Sequence, residues 1–180
     1  FNSIENLVGK LNDLPCKKLD YEFEPETIKE AFITSTDVSF VSIGNNLETQ
    51  GYSYDGSATV ISNLLSNAYL YTEIRAKSGA YGAGMAVNNK NAFLTYSYRD
   101  PNILKTIETY KHIPEFIESL NLTEEDLKPF IMGSVGKFEP PLTEKGKGRR
   151  DLEMYLCQRD YKEFEQYVDE ALETDMTNIK

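Results

Sequence analysis

One short stretch carries residue types suited to handling a polarised carbonyl: Arg75-Ala76-Lys77-Ser78-Gly79-Ala80-Tyr81-Gly82-Ala83-Gly84. Gly79, Gly82 and Gly84 permit tight turns and close approach of backbone to a ligand. A guanidinium and a phenol held together beside exposed backbone can donate hydrogen bonds to a carbonyl oxygen as it gains negative charge. The strand expected over residues 83–88 would offer its edge to a peptide in extended form. A plainer reading stands beside this one. Arg75 is also a favourable charge at a helix C-terminus, and Tyr81 an aromatic at the rim of a core. Spacing alone leaves both open.

Other chemistry-bearing residues are sparse. His112 is the only histidine, and a zinc site needs three or four ligands, so it reads as a surface or packing residue. No nucleophile signature accompanies it. Gly133-Ser134-Val135-Gly136-Lys137 has the wrong spacing for a phosphate loop and falls in a helical pattern. The basic run Lys145-Gly146-Lys147-Gly148-Arg149-Arg150 reads as a solvated, mobile loop, with a site for acidic or phosphorylated partners as the alternative. Cys16 and Cys157 lie far apart and read as free thiols in a reducing compartment, a single disulfide being the alternative. The net charge of −10 argues against nucleic acid as a partner, because phosphate binding needs Lys and Arg. With 40% hydrophobic and 27% charged residues, the chain has the composition of a globular protein with a real core. No apolar run reaches ~18 residues and the first residues lack a basic start followed by an apolar run, so neither a membrane span nor a leader is expected.

The elements that must hold Arg75 and Tyr81 follow from periodicity. Ile4, Leu7, Val8 and Leu11 fall at helical spacing, as the end of a helix from a preceding domain. Residues 15–25 read as a linker, which places the domain over 26–180. A strand is expected around Val38 and Phe40, ended by Gly44-Asn45-Asn46. The strongest helix runs from about Ser57 to Lys77, capped by Asp55 or Ser57, with Ile61, Leu64, Leu65, Ala68, Tyr71 and Ile74 as its apolar stripe and Ser78-Gly79 as its stop. A hairpin follows, 83–88 and 92–98, turned by Asn88 to Asn91, with Phe93, Thr95 and Ser97 on one face and Leu94, Tyr96 and Tyr98 on the other. Asp100-Pro101 would then cap and start a helix, kinked or split at Pro114. Thr123 caps the next, Pro140-Pro141 breaks the chain, and 149–172 is helical. Strands come first and helices cluster late, so the expected fold is α+β: a two-layer sandwich with an antiparallel-rich sheet covered by helices.

Two stretches carry a resemblance. Leu70-Tyr71-Thr72-Glu73-Ile74-Arg75 leading into Gly79-Ala80-Tyr81-Gly82-Ala83-Gly84, and Tyr96-Ser97-Tyr98-Arg99-Asp100-Pro101-Asn102, resemble the second half of pitrilysin/insulinase zinc metallopeptidases, and within them the presequence-protease and falcilysin branch. Thr123 to Leu127, Gly133-x-x-Gly136, Pro140-Pro141 and Lys145-Gly146 are similar to that branch as well, so the likeness covers about residues 30 to 179.

The resemblance implies two related α/β halves enclosing a peptide-sized chamber. The first half carries an inverted H-x-x-E-H zinc motif. The second lacks the metal and supplies an arginine and a tyrosine near the scissile bond, roles that fall here on Arg75 and Tyr81, with Gly79, Ala80, Gly82, Ala83 and Gly84 as substrate-binding backbone. Ser78 stands where the branch commonly has glycine. No H-x-x-E-H occurs in this sequence. The implied entity is a fragment, incomplete at its C-terminus and inactive alone: the non-catalytic, substrate-binding portion of a zinc endopeptidase acting on short unstructured peptides. Its partners would be the peptide and the zinc-bearing N-terminal half of the same polypeptide. Its location would be cytoplasmic, with organellar versions of the branch as the alternative. A peptidase-like domain kept for protein interaction or assembly is the competing function.

Overall fold

The structure, a computed structural model, describes residues 29–33 and 35–180 together with Asn6 and Tyr21 as single positions. The opening helix stripe, the 15–25 linker apart from Tyr21, and Cys16 lie outside the described residues. The chain divides into two compact units, Phe1–Thr34 and Ser35–Lys180.

The second unit is α+β. Its sheet holds β1 (Ser39–Asn46), β2 (Gly82–Val87) and β3 (Ala92–Asp100) in the order β1-β3-β2, antiparallel throughout. The 82–87 and 92–100 hairpin forms as the pattern predicts, with Asn91 adopting a φ of 61° in its turn. The first strand differs from expectation. It begins at Ser39, continues through Gly44-Asn45-Asn46 and ends where the Asn46 side chain caps a 3-10 turn, Leu47–Gln50. Glycine keeps that continuation open, since a Cβ on Gly44 would stand only 3.0 Å from the Phe93 carbonyl oxygen. Val41, not Phe40, is the buried residue, and Phe40 is exposed.

One helical rod covers the inner sheet face. Its first part, α1 (Gly56–Leu64), starts at Asp55, whose carboxylate accepts from the Ala58 amide, as expected of an N-cap. From Leu65 to Ala76 the rod widens into π-helical, i→i+5 winding, seen in the bond from the Lys77 amide to the Thr72 carbonyl. The widening rotates the stripe. Leu65, Leu70 and Ile74 are buried, while Ala68 and Tyr71, which a regular 3.6-residue period would place inside, are exposed. Leu70 and Ile74 meet Val41, Ala80 and Tyr110 in a core that also takes in Ala83 and Met85 from β2.

The remaining helices are α2 (Ile103–Lys111), α3 (Ile113–Ser119), α4 (Glu124–Phe138), α5 (Glu144–Leu156), α6 (Tyr161–Leu172) and α7 (Met176–Ile179). Pro114 splits the α2–α3 pair, sitting in the first turn of α3 where a missing N–H costs nothing. Thr123 and Asp126 form a reciprocal capping box on α4. A second core joins Leu64 and Leu120 to Leu127 and Ile179. Residues 145–150 are not a mobile loop but the start of α5. Thr143 caps that helix, and Lys147–Glu144 and Arg149–Glu153 pairs run along it. No helix among the described residues is long and apolar enough to cross a membrane.

Candidate functional site

Arg75 lies in the last turn of the π-helical segment, and Tyr81 stands just ahead of β2. The turn between them is closed from three sides. The Gly79 amide bonds back to the Arg75 carbonyl at 3.1 Å and the Ala80 amide to the Ile74 carbonyl at 3.1 Å, with Gly79 in the left-handed region at φ 83°. This is the glycine-dependent helix ending that leaves few orphan carbonyls. Ser78 is buried and its hydroxyl donates to the Glu73 carbonyl at 2.6 Å. Its own carbonyl accepts from the Asn102 side-chain amide at 2.7 Å.

That last bond joins the turn to the end of β3. The expected helix cap at Asp100 is not formed as such. Asn102 is the N-cap of α2, and Asp100 is the last residue of β3, fully buried. Its carboxylate accepts from the Asn102 amide at 2.8 Å, the Ser97 hydroxyl at 2.7 Å and the Thr106 hydroxyl at 2.5 Å. Burial explains the departure, because a carboxylate removed from water must collect donors, and these three are within reach. The pairing of β1 with β3 slips here, from Phe40↔Tyr98 to Ser39↔Asp100, so Arg99 is an extra residue on β3, at φ 49°. A bulge of this kind re-aims a side chain.

The two tethered segments surround one open depression of about 640 Å³, lined by Arg75 and Tyr81 along with Val38, Tyr71, Gly79, Ala80 and Arg99. Arg75 lies over the Tyr71 ring, 5.0 Å from its centroid. Tyr81 is 61% exposed and tilts against Tyr98 at 5.4 Å between centroids. Among the described residues neither the Arg75 guanidinium nor the Tyr81 hydroxyl has a hydrogen-bond or ion-pair partner. Both are therefore donors pointed at solvent.

The other sequence-derived positions are placed differently. Gly82, Ala83 and Gly84 do not line the depression. Gly82 makes room for the Tyr98 ring, since a Cβ there would fall 2.2 Å from Tyr98 Cε1, and Gly84 lies beneath the Tyr96 hydroxyl. Ala83 packs on the inner core. The β2 edge is also partly taken. The Ser66 hydroxyl accepts from the Met85 amide at 2.8 Å, and the Ser62 hydroxyl donates to the Met85 carbonyl at 2.7 Å. The edge expected along 83–88 is thus already occupied at Met85, in the middle of β2.

His112 is exposed at the junction of α2 and α3, with Nδ1 2.7 Å from the Glu108 carbonyl. No group of three or more His, Cys, Asp or Glu gathers as metal ligands among the described residues. Cys157 is free and exposed. The Gly133–Lys137 segment lies inside α4, with the buried Ser134 hydroxyl donating to the Phe130 carbonyl at 2.8 Å. One member of the site escaped sequence reasoning. Arg99 was visible only as part of the Tyr96–Asn102 motif, and its role depends on a bulge that composition does not announce.

Comparison with known proteins gives a consistent result. The family described as the PreP C-terminal domain matches residues 29–180. "Protein HypA" of Clostridium perfringens is 30% identical over 98% of this chain and 18% of that relative. "Presequence protease 1, chloroplastic/mitochondrial" of Arabidopsis thaliana is 33% identical over 84% of this chain and 14% of its own length. "Presequence protease, mitochondrial" of Mus musculus is 29% identical over 72% of this chain, 12% of its own. The chain thus spans under a fifth of these relatives.

Proposed function

The chain belongs to the PreP C-terminal domain family, a peptidase-related family, and on that premise we propose that it is the substrate-contacting, metal-free portion of a zinc endopeptidase for short unstructured peptides. The observation that carries the proposal is the convergence of Arg75 and Tyr81 on one depression, with both donors unengaged among the described residues. A buried polar network fastens the backbone beneath them, so the donors are pre-organised and need little rearrangement to meet a carbonyl oxygen. The peptide backbone would be held by this chain, while the N-terminal half of the parent polypeptide would hold the zinc that polarises the scissile bond. The relatives named as mitochondrial or chloroplastic favour the organellar alternative for the parent and lend the cytoplasmic reading no support.

The test is kinetic and uses the full-length parent. Arg75→Met and Tyr81→Phe should each lower kcat/KM about 10²- to 10³-fold, the usual loss for one transition-state donor. Zinc content and the near-UV circular dichroism should stay unchanged. The isolated chain should bind peptide without turning it over. Unaltered turnover in both variants would return Arg75 to a helix-terminal charge and Tyr81 to a rim aromatic.

A further inference from the structure

Arg99 is a second guanidinium at the depression, and the functional reading above gives it no task. Its backbone is held in the left-handed region, φ 49°, which a long, non-glycine side chain adopts only when its surroundings fix it. The fixing is visible one residue on, where Asp100 is buried under three donors. The bulge sends the Arg99 side chain out to the Tyr81 ring, with Cζ 5.9 Å from the centroid. Like Arg75, it has no hydrogen-bond or ion-pair partner among the described residues.

The electrostatics of the depression are lopsided. Among the described residues its lining contains two arginines and no carboxylate, in a chain of net charge −10. Elsewhere, cations such as Lys77, Lys111, Lys128 and Arg159 have each found a glutamate. Two like charges facing one concavity repel, and that repulsion is relieved when an anion enters. Each guanidinium also lies over a tyrosine ring, an arrangement that keeps the planar N–H fork pre-organised for bidentate bonds to a carboxylate.

We propose that Arg99 is a specificity-determining residue that captures a carboxylate of the bound peptide beside the scissile bond. This rests on Arg75 and Tyr81 forming the substrate site. The carboxylate has two sources, an Asp or Glu side chain or the peptide's free C-terminus, and the chemistry at Arg99 is the same for both.

The experiment measures kcat/KM of the full-length protein on matched peptides. One pair differs by Glu against Gln next to the cleaved bond, and a second by a free acid against an amide at the C-terminus. The wild-type protein should favour the carboxylate member of one pair about tenfold, the scale of a charge-assisted hydrogen bond. Arg99→Asn removes the charge while tolerating the left-handed backbone, and should collapse that ratio towards one. Arg99→Lys keeps the charge but not the fork and should retain part of it. The pair that shows the preference identifies the source. No preference in the wild type for either pair overturns the proposal, and so does a ratio that survives Arg99→Asn while turnover on both members falls equally. That second result would make Arg99 a support for Tyr81 only. Failure here with intact Arg75 and Tyr81 effects leaves the substrate site standing, whereas silent Arg75 and Tyr81 variants remove its foundation.

Discussion

The sheet end and the helical end of this domain treat their arginines in opposite ways. Around α5 and α6 two of the three arginines are paired with acids: Arg149 meets Glu153 at 2.9 Å, and Arg159, just before α6, meets Glu163 at 3.3 Å, while Arg150 lies over the Tyr161 ring, 5.7 Å from its centroid. At the sheet end Arg75 and Arg99 have no acidic partner among the described residues, although polar groups are plentiful around them. Those polar groups are turned inward. Ser78, Asn102, Ser97, Thr106 and Asp100 bond to one another and to backbone, which fixes where the two guanidiniums stand without neutralising them. Paired charges solubilise a surface helix. Under the proposed function, the unpaired charges on a fastened backbone are the ones left for a ligand.

The comparison breaks most readily at Asp100. Its carboxylate gathers three donors in full burial, so Asp100→Ala should cost about 3 kcal/mol of stability, given ~1.5–3 kcal/mol for each hydrogen bond to a charged group and incomplete additivity. Equilibrium denaturation of the chain measures it. A loss below about 0.5 kcal/mol, typical of an unremarkable surface site, would mean that the bulge carrying Arg99 is held by strand pairing alone and that the inward network is incidental.

A smaller effect separates the two ends by pH. Tyr110, in the core behind the site, is pushed up to about 12, chiefly by desolvation. Tyr167 on α6 also rises to about 12, but there burial is joined by the bond its hydroxyl donates to Glu163 at 2.8 Å. Both groups keep their protons longer in the folded state than in the unfolded chain, where the phenol titrates near 10. The stability they contribute is therefore fully present below about pH 10 and is lost as pH rises toward 12, amounting to about 1 kcal/mol for Tyr110 by about pH 11. Alkaline difference spectra of Glu163→Gln should show one tyrosine titrating earlier, while Tyr110→Phe should remove a late-titrating one. Equal responses of both phenols to Glu163→Gln would erase the distinction between a desolvated and a carboxylate-bonded tyrosine.

How much of this was legible in the sequence depends on whether the signal was local. Asp55, Thr123 and Pro114 act through bonds or clashes within one turn, and all three did as read. The division of β3 into two faces followed from strict alternation, but not which face is buried: Thr95 and Ser97 are, while Leu94 and Tyr96 are exposed. The α+β layering followed from the order of elements. What was missed needed distant partners. The widening after Leu64 exchanges Ala68 and Tyr71 for Leu70 in the core, and no residue type announces an i→i+5 turn. Asp100 beside Pro101 has the look of a helix cap, yet burial against Ser97 and Thr106 decided its place. The serines that close the β2 edge sit on α1 and its continuation, some twenty residues before Met85. At the candidate site, the nearness of Arg75 and Tyr81 was readable because a short glycine-punctuated turn joins them, while the roles expected of them came from the family resemblance and not from spacing. The nearness of Arg99 was not readable, because it reaches the same depression only through a register slip between β1 and β3.

The smallest effect tests the other half of the comparison. Arg149 and Glu153 are one turn apart on α5, with side chains 81% and 60% exposed. Water screens such a pair, and holding two long side chains in one geometry costs entropy. A double-mutant cycle on Arg149→Ala and Glu153→Ala should give a coupling of about 0.3–0.5 kcal/mol that fades toward zero in about 1 M salt, where screening acts within ~3 Å. A coupling above about 1 kcal/mol that resists salt would show the paired charges of α5 to be structural rather than solvated. Pairing would then no longer mark the helical end as the inert one, and the lack of partners around Arg75 and Arg99 would lose the contrast that makes it informative.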